Sequence, residues 1–296
     1  MKQYFLPFIN PVSLIKAYRF HKKTGRYNKT RNDLELKLYS RILNNDMLHY
    51  GYFDDVDIAP EFIGIGHVEQ AQNRYAEIIA EQIIDKDYPV LDVGCGMGGL
   101  SRFLIGKGFN IEALTPDCNQ VEYIRRMNNG LRCHNKRFED FTADKKYGTV
   151  INSESIQYLD PDITFRKVDE IILPGGRWII TDVFRTKTQT FNPSGYLLSD
   201  FLQKIAEHGW TITCEQDITM HILPMLKLLH MYVDRFLIPL SQYAEEKFTV
   251  KKAWLFYLTK NLRKSISVKS RREISAIDPE LFLSEKKYML YVLQKP

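Results

Sequence analysis

The sequence predicts an α/β fold in which one open, mostly parallel sheet is flanked by helices. A helical lid precedes the sheet, and a helical cap is inserted before its last strand. Three observations predict this. Short apolar runs bounded by turn residues alternate with stretches of helical period from residue 67 to residue 216. The first of those runs ends in a glycine-rich turn that opens directly into a helix. A chain of 296 residues also suits one large domain with appendages.

The organising stretch is residues 89–99, Pro-Val-Leu-Asp-Val-Gly-Cys-Gly-Met-Gly-Gly. Val90, Leu91 and Val93 read as a buried strand, Gly94 to Gly99 as the turn, and Leu100 to Lys107 as the helix. Strand, glycine turn and helix N-terminus together make a nucleotide-binding corner, because glycine lets the backbone turn sharply and lets a ligand approach closely. The glycines alone suit a dinucleotide equally well. Asp92, two residues before Gly94, sharpens the reading. A dinucleotide fingerprint places its acid roughly 20 residues later, where this chain has Ile-Glu-Ala-Leu-Thr-Pro-Asp with Thr115 at the strand end. The spacing D-x-G-C-G-x-G-G resembles the first motif of class I S-adenosylmethionine-dependent methyltransferases. That resemblance implies a Rossmann-like seven-stranded sheet with an antiparallel last strand, and S-adenosyl-L-methionine held by Asp92, Gly94, Cys95 and Gly96.

The elements follow in order. Residues 1–31 mix aromatic and aliphatic side chains with bases. Packing over the pocket as a lid is the favoured reading, and an interfacial helix is the other. Asp33 to Leu48 reads helical, with Leu34, Leu38 and Ile42 on one side. Residues 48–54, Leu-His-Tyr-Gly-Tyr-Phe-Asp, resemble the His-x-Gly-Tyr-Trp/Phe segment that closes over cofactor and substrate in small-molecule methyltransferases. That makes His49 the base candidate, and Tyr50, with Tyr52 and Phe53, an aromatic neighbour of the sulfonium. An aromatic plug is the competing reading. His67 to Ile84 reads as a helix leading into the first strand.

Phe109 to Leu114 reads as the second strand. Residues 114–120, Leu-Thr-Pro-Asp-Cys-Asn-Gln, resemble the Leu-Thr-x-x-x-x-Gln run of cyclopropane synthases and tocopherol methyltransferases. By that resemblance Thr115 and Gln120 serve the cofactor in place of the usual ribose acid, and Asp117 reads as a helix N-terminal acid. Leu131 to Lys136 reads as the third strand, and by the same resemblance the turn after it offers Phe138 and Glu139 to an adenine, a solvated turn acid being the competing reading of Glu139. Tyr147 to Ser153 reads as the fourth, with Ser153 a further cofactor contact. Residues 154–160, Glu-Ser-Ile-Gln-Tyr-Leu-Asp, resemble the Glu-Ser-x-x-His stretch of sterol, tocopherol and glycoside methyltransferases. Gln157 replaces the Glu that cyclopropane synthases use to hold bicarbonate, which argues against cyclopropanation, and Tyr158 replaces the His. Both are orienting candidates. Pro161 to Leu173 and Tyr196 to His208 read as helices. Residues 173–184, 210–216 and 286–293 read as the remaining strands. The boundaries are therefore a lid at 1–84, a core at 85–217, a cap at 218–283 and the last strand at 284–296.

Bulk properties bound the rest. The four cysteines show no metal-site spacing, so no metal is expected and the thiols read as reduced and cytoplasmic. No run of 18 apolar residues suggests a membrane span, and no secretory signal is recognisable. The net charge of +5 is uneven. Residues 1–31 hold eight bases and no acid, and residues 247–272 hold nine and no acid. Two basic appendages on an acidic body suggest peripheral contact with an anionic membrane or another anionic surface, or else two solvated helix faces. The resulting expectation is a methyltransferase acting on a small, apolar or lipid-like acceptor at carbon, nitrogen or oxygen. The alternatives are a cofactor-binding partner protein without turnover, and a nucleic-acid methyltransferase using the basic segments. The second lacks the Asn/Asp-Pro-Pro-Tyr motif of amino-methylating enzymes. The oligomeric state stays open.

Overall fold

A computed structural model describes residues 10–24, 45–127 and 130–296. The expected helix over 33–48 therefore lies outside the described residues up to position 44, as do Tyr4, Phe5 and Phe8 of the expected lid.

The sheet is built from β1 (Val90–Val93), β2 (Ile111–Thr115), β3 (Arg132–Asn135), β4 (Tyr147–Ser153), β5 (Ile172–Arg185), a two-residue β6 (Tyr196–Leu197), β7 (Thr211–Asp217) and β8 (Lys286–Gln294). Its order is β3-β2-β1-β4-β5-β8-β7, with β6 beside β5. β8 runs antiparallel to both neighbours, and the other pairs are parallel. The strand boundaries follow the apolar runs of the sequence to within two residues.

The helices are α1 (Pro11–Thr24), α2 (Ile65–Glu81), α3 (Gly99–Gly106), α4 (Cys118–Met127), α5 (Pro161–Ile171), α6 (Leu198–Glu207), α7 (Thr219–Tyr232), α8 (Ile238–Lys251), α9 (Ala253–Leu258), α10 (Lys260–Ser275) and α11 (Pro279–Glu285). Asp160 caps α5 and Asp278 caps α11 through side-chain oxygens, each followed by proline at the first helical position.

Parallel strands buried on both faces explain why the runs are apolar without strict alternation. Val90, Ile111, Ile151, Ile179 and Val292 enter one core layer with Tyr75, Ile79 and Leu104. Their sequence neighbours Leu91, Val150, Trp178, Ile180 and Leu293 enter the opposite layer with Phe165 and Phe201. In the register, Val93 lies opposite Leu114 on one side and Asn152 on the other. That alignment brings the carboxyl ends of β1, β2 and β4 to one edge, where α/β sheets hold ligands.

Leu14, Ile15 and Tyr18 sit on α1, and all three are exposed. The stretch 218–283 is not uniform. α7 buries Ile222, Leu223 and Leu226, and α11 buries Phe282, whereas α8 and α9 bury no residue.

Candidate active site

A cavity of about 660 Å³ opens at the carboxyl edge of the sheet. Its wall is drawn from segments far apart in sequence: 46–49, 92–100, 114–120, 137–139 and 153–159.

The β1 turn is shaped by what glycine omits. Gly94 adopts φ +78°, and a Cβ there would stand 2.4 Å from the Cβ of Ser155. Ser155 is fixed in turn: its hydroxyl donates to the Val93 carbonyl at 2.6 Å and accepts from the Asn152 amide at 2.9 Å. Asn152 accepts from the Trp178 indole at 2.9 Å. The N–H groups of Gly94 and Cys95 both donate to the Leu114 carbonyl. Those two residues therefore offer a ligand bare backbone surface rather than free donors. Asp92 is fully buried, accepts from Ser101 at 2.5 Å, and is pushed up to about 6 by desolvation.

The segment 45–53 is held by α2. Gln72, itself buried, donates to the carbonyls of Met47 and His49 and accepts from Asn45. Asp46 accepts from Arg102 at 2.7 Å and from Tyr123 at 2.6 Å. His49 stacks on Tyr75 with ring centroids 3.9 Å apart. Both of its ring nitrogens are buried without a hydrogen-bond partner. Burial lowers its pKa to about 3, so the ring is neutral at physiological pH.

On the β2 side, the Thr115 hydroxyl donates to Gln120 at 2.5 Å, and Asp117 Oδ1 accepts from the N–H groups of Asn119 and Gln120. Asp117 Oδ2 remains buried and unpartnered, as does Glu139 Oε2. Both residues line the cavity.

The sequence reading brought together His49, Asp92, Gly94, Cys95, Gly96, Thr115, Gln120, Phe138, Glu139, Ser153 and Tyr158, and all of these are on the wall. Two expected site residues are not. The Tyr50 N–H donates to Glu154 Oε1, and its ring meets the edge of Tyr288 instead of the cavity. Gln157 points its amide at Asp182 at 3.0 Å, satisfying a buried carboxylate of β5. His221 stacks on Tyr52 and bonds to the Phe53 carbonyl. Among the described residues, none from 218–283 is on the cavity wall.

The residue that sequence reasoning passed over is Glu154. It follows β4 directly, at φ +50°, a left-handed conformation uncommon for a non-glycine residue. Its carboxylate is fully buried, accepts from Tyr288 at 2.6 Å and from the Tyr50 N–H at 3.1 Å, and is pushed up to about 7 by desolvation. Strain and a perturbed carboxyl in one cavity are the physical marks of a working site.

A family model described as a methyltransferase domain matches residues 67–224. The chain belongs to that family. Among curated relatives, the methyltransferase GfsG of Streptomyces halstedii is 27% identical over 179 residues, which is 55% of this chain and 59% of that protein. The chloroplastic tocopherol O-methyltransferase of Arabidopsis thaliana is 29% identical over 152 residues, 46% of this chain and 43% of that one. The chain thus spans about half the length of the curated relatives it matches. Geranyl diphosphate C-methyltransferase from Streptomyces coelicolor A3(2), solved with Mg²⁺, geranyl diphosphate and S-adenosyl-L-homocysteine, superimposes with a TM-score of 0.62 at 16% identity. That likeness covers 86% of this chain and 93% of that one, and it establishes the shared fold. The cavity of this family member accordingly sits at the carboxyl edge of a Rossmann-like sheet.

Proposed function

We propose that the protein is an S-adenosyl-L-methionine-dependent methyltransferase acting on a small, apolar or lipid-like acceptor. The observation that carries this reading is the ring of unsatisfied and desolvated acceptors on one cavity: Asp92, Asp117 Oδ2 and Glu139 Oε2. An adenosyl amino acid carries the matching donors, an ammonium for Asp92, ribose hydroxyls for Asp117 with Gln120, and an adenine amino group for Glu139. The cavity provides the volume, and Gly94 leaves the space that any side chain would fill.

When bound, that cofactor supplies a methyl group activated by its sulfonium. The protein's own tasks are to exclude water, align the acceptor and take its proton. Alignment can be worth on the order of 7–11 kcal/mol. Proton acceptance falls to Glu154 rather than His49. A ring whose pKa is about 3 holds a proton poorly near neutrality, whereas a carboxyl poised near 7 exchanges one readily. With an acceptor aligned in the cavity, the Glu154 carboxylate would take the proton that the acceptor gives up on methylation. The unpartnered nitrogens of His49 and the position of Tyr158 on the cavity wall support a role for both in orienting a polar group on the acceptor. The apolar parts of the wall, Leu48, Leu100 and Leu159, suit a hydrophobic acceptor.

The test is calorimetry with S-adenosylhomocysteine, followed by mass spectrometry of cell extracts incubated with the protein and deuterated cofactor. Binding and a labelled product of low molecular mass are expected. A folded protein that takes up no S-adenosylhomocysteine overturns the reading.

A further inference from the structure

We infer that the helical arm formed by residues 232–275 is a docking surface for an anionic lipid bilayer. Three features of the described residues carry this. The first is exposed carbon. Tyr232, Phe236, Leu240 and Tyr243 follow one another at i, i+4, i+8 and i+11 from the end of α7 through a π-helical turn (Val233–Leu237) into α8. They form one stripe, and each is about half exposed or more, from 47% to 60%. Beyond α8, Tyr257 is 76% exposed, Leu258 65% and Ile266 55%. Exposed carbon on this scale marks a surface awaiting a partner.

The second feature is charge. Residues 232–275 hold ten bases and four acids, a net of +6 against +5 for the whole chain. Two of the acids are already engaged, Glu245 by Arg263 and Asp234 by His230. Lys247, Lys251, Lys260 and Lys264 are exposed along the same helices that carry the apolar side chains.

The third feature is independence. Arg263 bonds Glu245 and stacks on Phe256 at 3.3 Å, and Phe248 meets Phe256 edge-on. α8 to α10 thus brace one another, yet α8 and α9 bury nothing and none of the three reaches the cavity. A polyanion such as RNA would use the bases and leave the leucine and isoleucine side chains in water. A bilayer with anionic headgroups satisfies both, because aliphatic and tyrosine side chains enter the interface while lysines meet the phosphates. α1 repeats the pairing, with exposed Leu14, Ile15 and Tyr18 beside Lys16, Arg19 and Lys22. This inference supplies a partner for the proposed function, since a surface-bound enzyme meets a lipid-like acceptor where that acceptor dissolves. It is measured separately from cofactor binding.

The experiment is co-sedimentation of the full chain with vesicles of phosphatidylcholine alone and of phosphatidylcholine doped with phosphatidylserine. The chain is expected to pellet with the doped vesicles at low ionic strength, to be released by molar salt, and to ignore neutral vesicles. The variant K251E/K264E/R271E is expected to lose at least about a hundredfold in partitioning, since each base near the surface contributes roughly fivefold. The variant L240S/Y257S/L258S is expected to lower partitioning to the doped vesicles at low ionic strength although its bases are intact. Both are checked for a parental circular-dichroism melt and parental calorimetry with S-adenosylhomocysteine. Should a variant melt early, the salt and lipid dependence of the parent carries the decision. Equal pelleting with neutral and doped vesicles overturns the inference, as does parental partitioning of the charge variant. Retention of RNA on filters by a chain that leaves doped vesicles in solution overturns it too.

Discussion

The Glu154 carboxylate accepts the phenol proton of Tyr288 at 2.6 Å, joining the end of β4 to the centre of β8 across 134 residues of sequence. Behind it the Tyr288 hydroxyl lies 3.2 Å from that of Tyr75, which reaches Thr181 at 2.5 Å and carries the His49 ring on its face. The proposed base is therefore anchored by the sheet and by α2 together, and its protonation is a property of that anchorage.

Replacing Glu154 by Gln keeps the shape and an acceptor oxygen but removes the ionisable group. Turnover is expected to fall about 10²- to 10⁴-fold with S-adenosylhomocysteine affinity within a few-fold of the parent. The rising limb of the pH–rate profile near 7 should disappear. Stability reports the same group. Its folded pKa of about 7 lies above the usual 4.5, so its stabilising contribution is complete below 4.5 and is lost as pH rises through 7. On the order of 3 kcal/mol is at stake. The ligand-free parent should lose melting temperature across that window relative to E154Q. His49 titrates in the opposite sense between about 3 and 6.5 and is common to the two proteins, whereas Asp182, raised chiefly by burial and in part by the Glu154 charge, should titrate lower in E154Q and add to the difference.

Asp92 is expected to couple cofactor binding to pH. Its carboxyl is held up to about 6, and an ammonium pairs only with the ionised form. Below 6, S-adenosylhomocysteine affinity should fall about tenfold per pH unit, and it should level off above. Asp92→Asn should remove that slope and weaken binding by roughly 2–5 kcal/mol. Calorimetry over a pH series decides, and a slope that survives in the variant rejects this pairing.

Gly94→Ala introduces a Cβ 2.4 Å from Ser155 at a φ of +78°. A loss of about 2–4 kcal/mol in urea unfolding is expected, with loss of cofactor binding, because both the clash and the left-handed backbone oppose the side chain. Gly66, with open space around its Cβ position, is the control, and its Ala variant should be neutral or stabilising.

Gln157→Ala separates two roles. The structure aims its amide at Asp182 and away from the cavity, so stability should drop by about 1–2 kcal/mol with little change in KM. A large rise in KM at parental stability would restore it to the substrate wall.

His49→Phe retains the stack on Tyr75 and removes both ring nitrogens. Folding and cofactor affinity are expected to persist while kcat/KM for the acceptor falls about tenfold to a hundredfold, the loss of one polar contact to substrate. Circular dichroism, calorimetry and the labelled-cofactor assay read the three quantities in turn.

The sequence by itself determined the sheet and much of the cavity wall that the proposed cofactor would meet, because those signals are local. An apolar run between turn residues specifies a buried strand, Asp92 and the glycines after it specify the corner, and Thr115, Gln120, Phe138 and Glu139 each sit at a fixed distance from a strand end. Tertiary structure alone decided the acceptor side. Glu154 looked like one member of a polar run until β8 and α2 enclosed it, since desolvation and a left-handed φ arise only from packing. Gln157 and Tyr50 shared the same segments as true wall residues, but a buried Asp182 and the Glu154 carboxylate claimed them, since leaving either acceptor unmet would cost more than orienting a ligand gains. The 218–283 insertion has a cap's length and helical period, and none of its described residues is on the cavity wall. Periodicity fixes which face of a helix is apolar, and only the positions of the other elements decide what, if anything, that face covers.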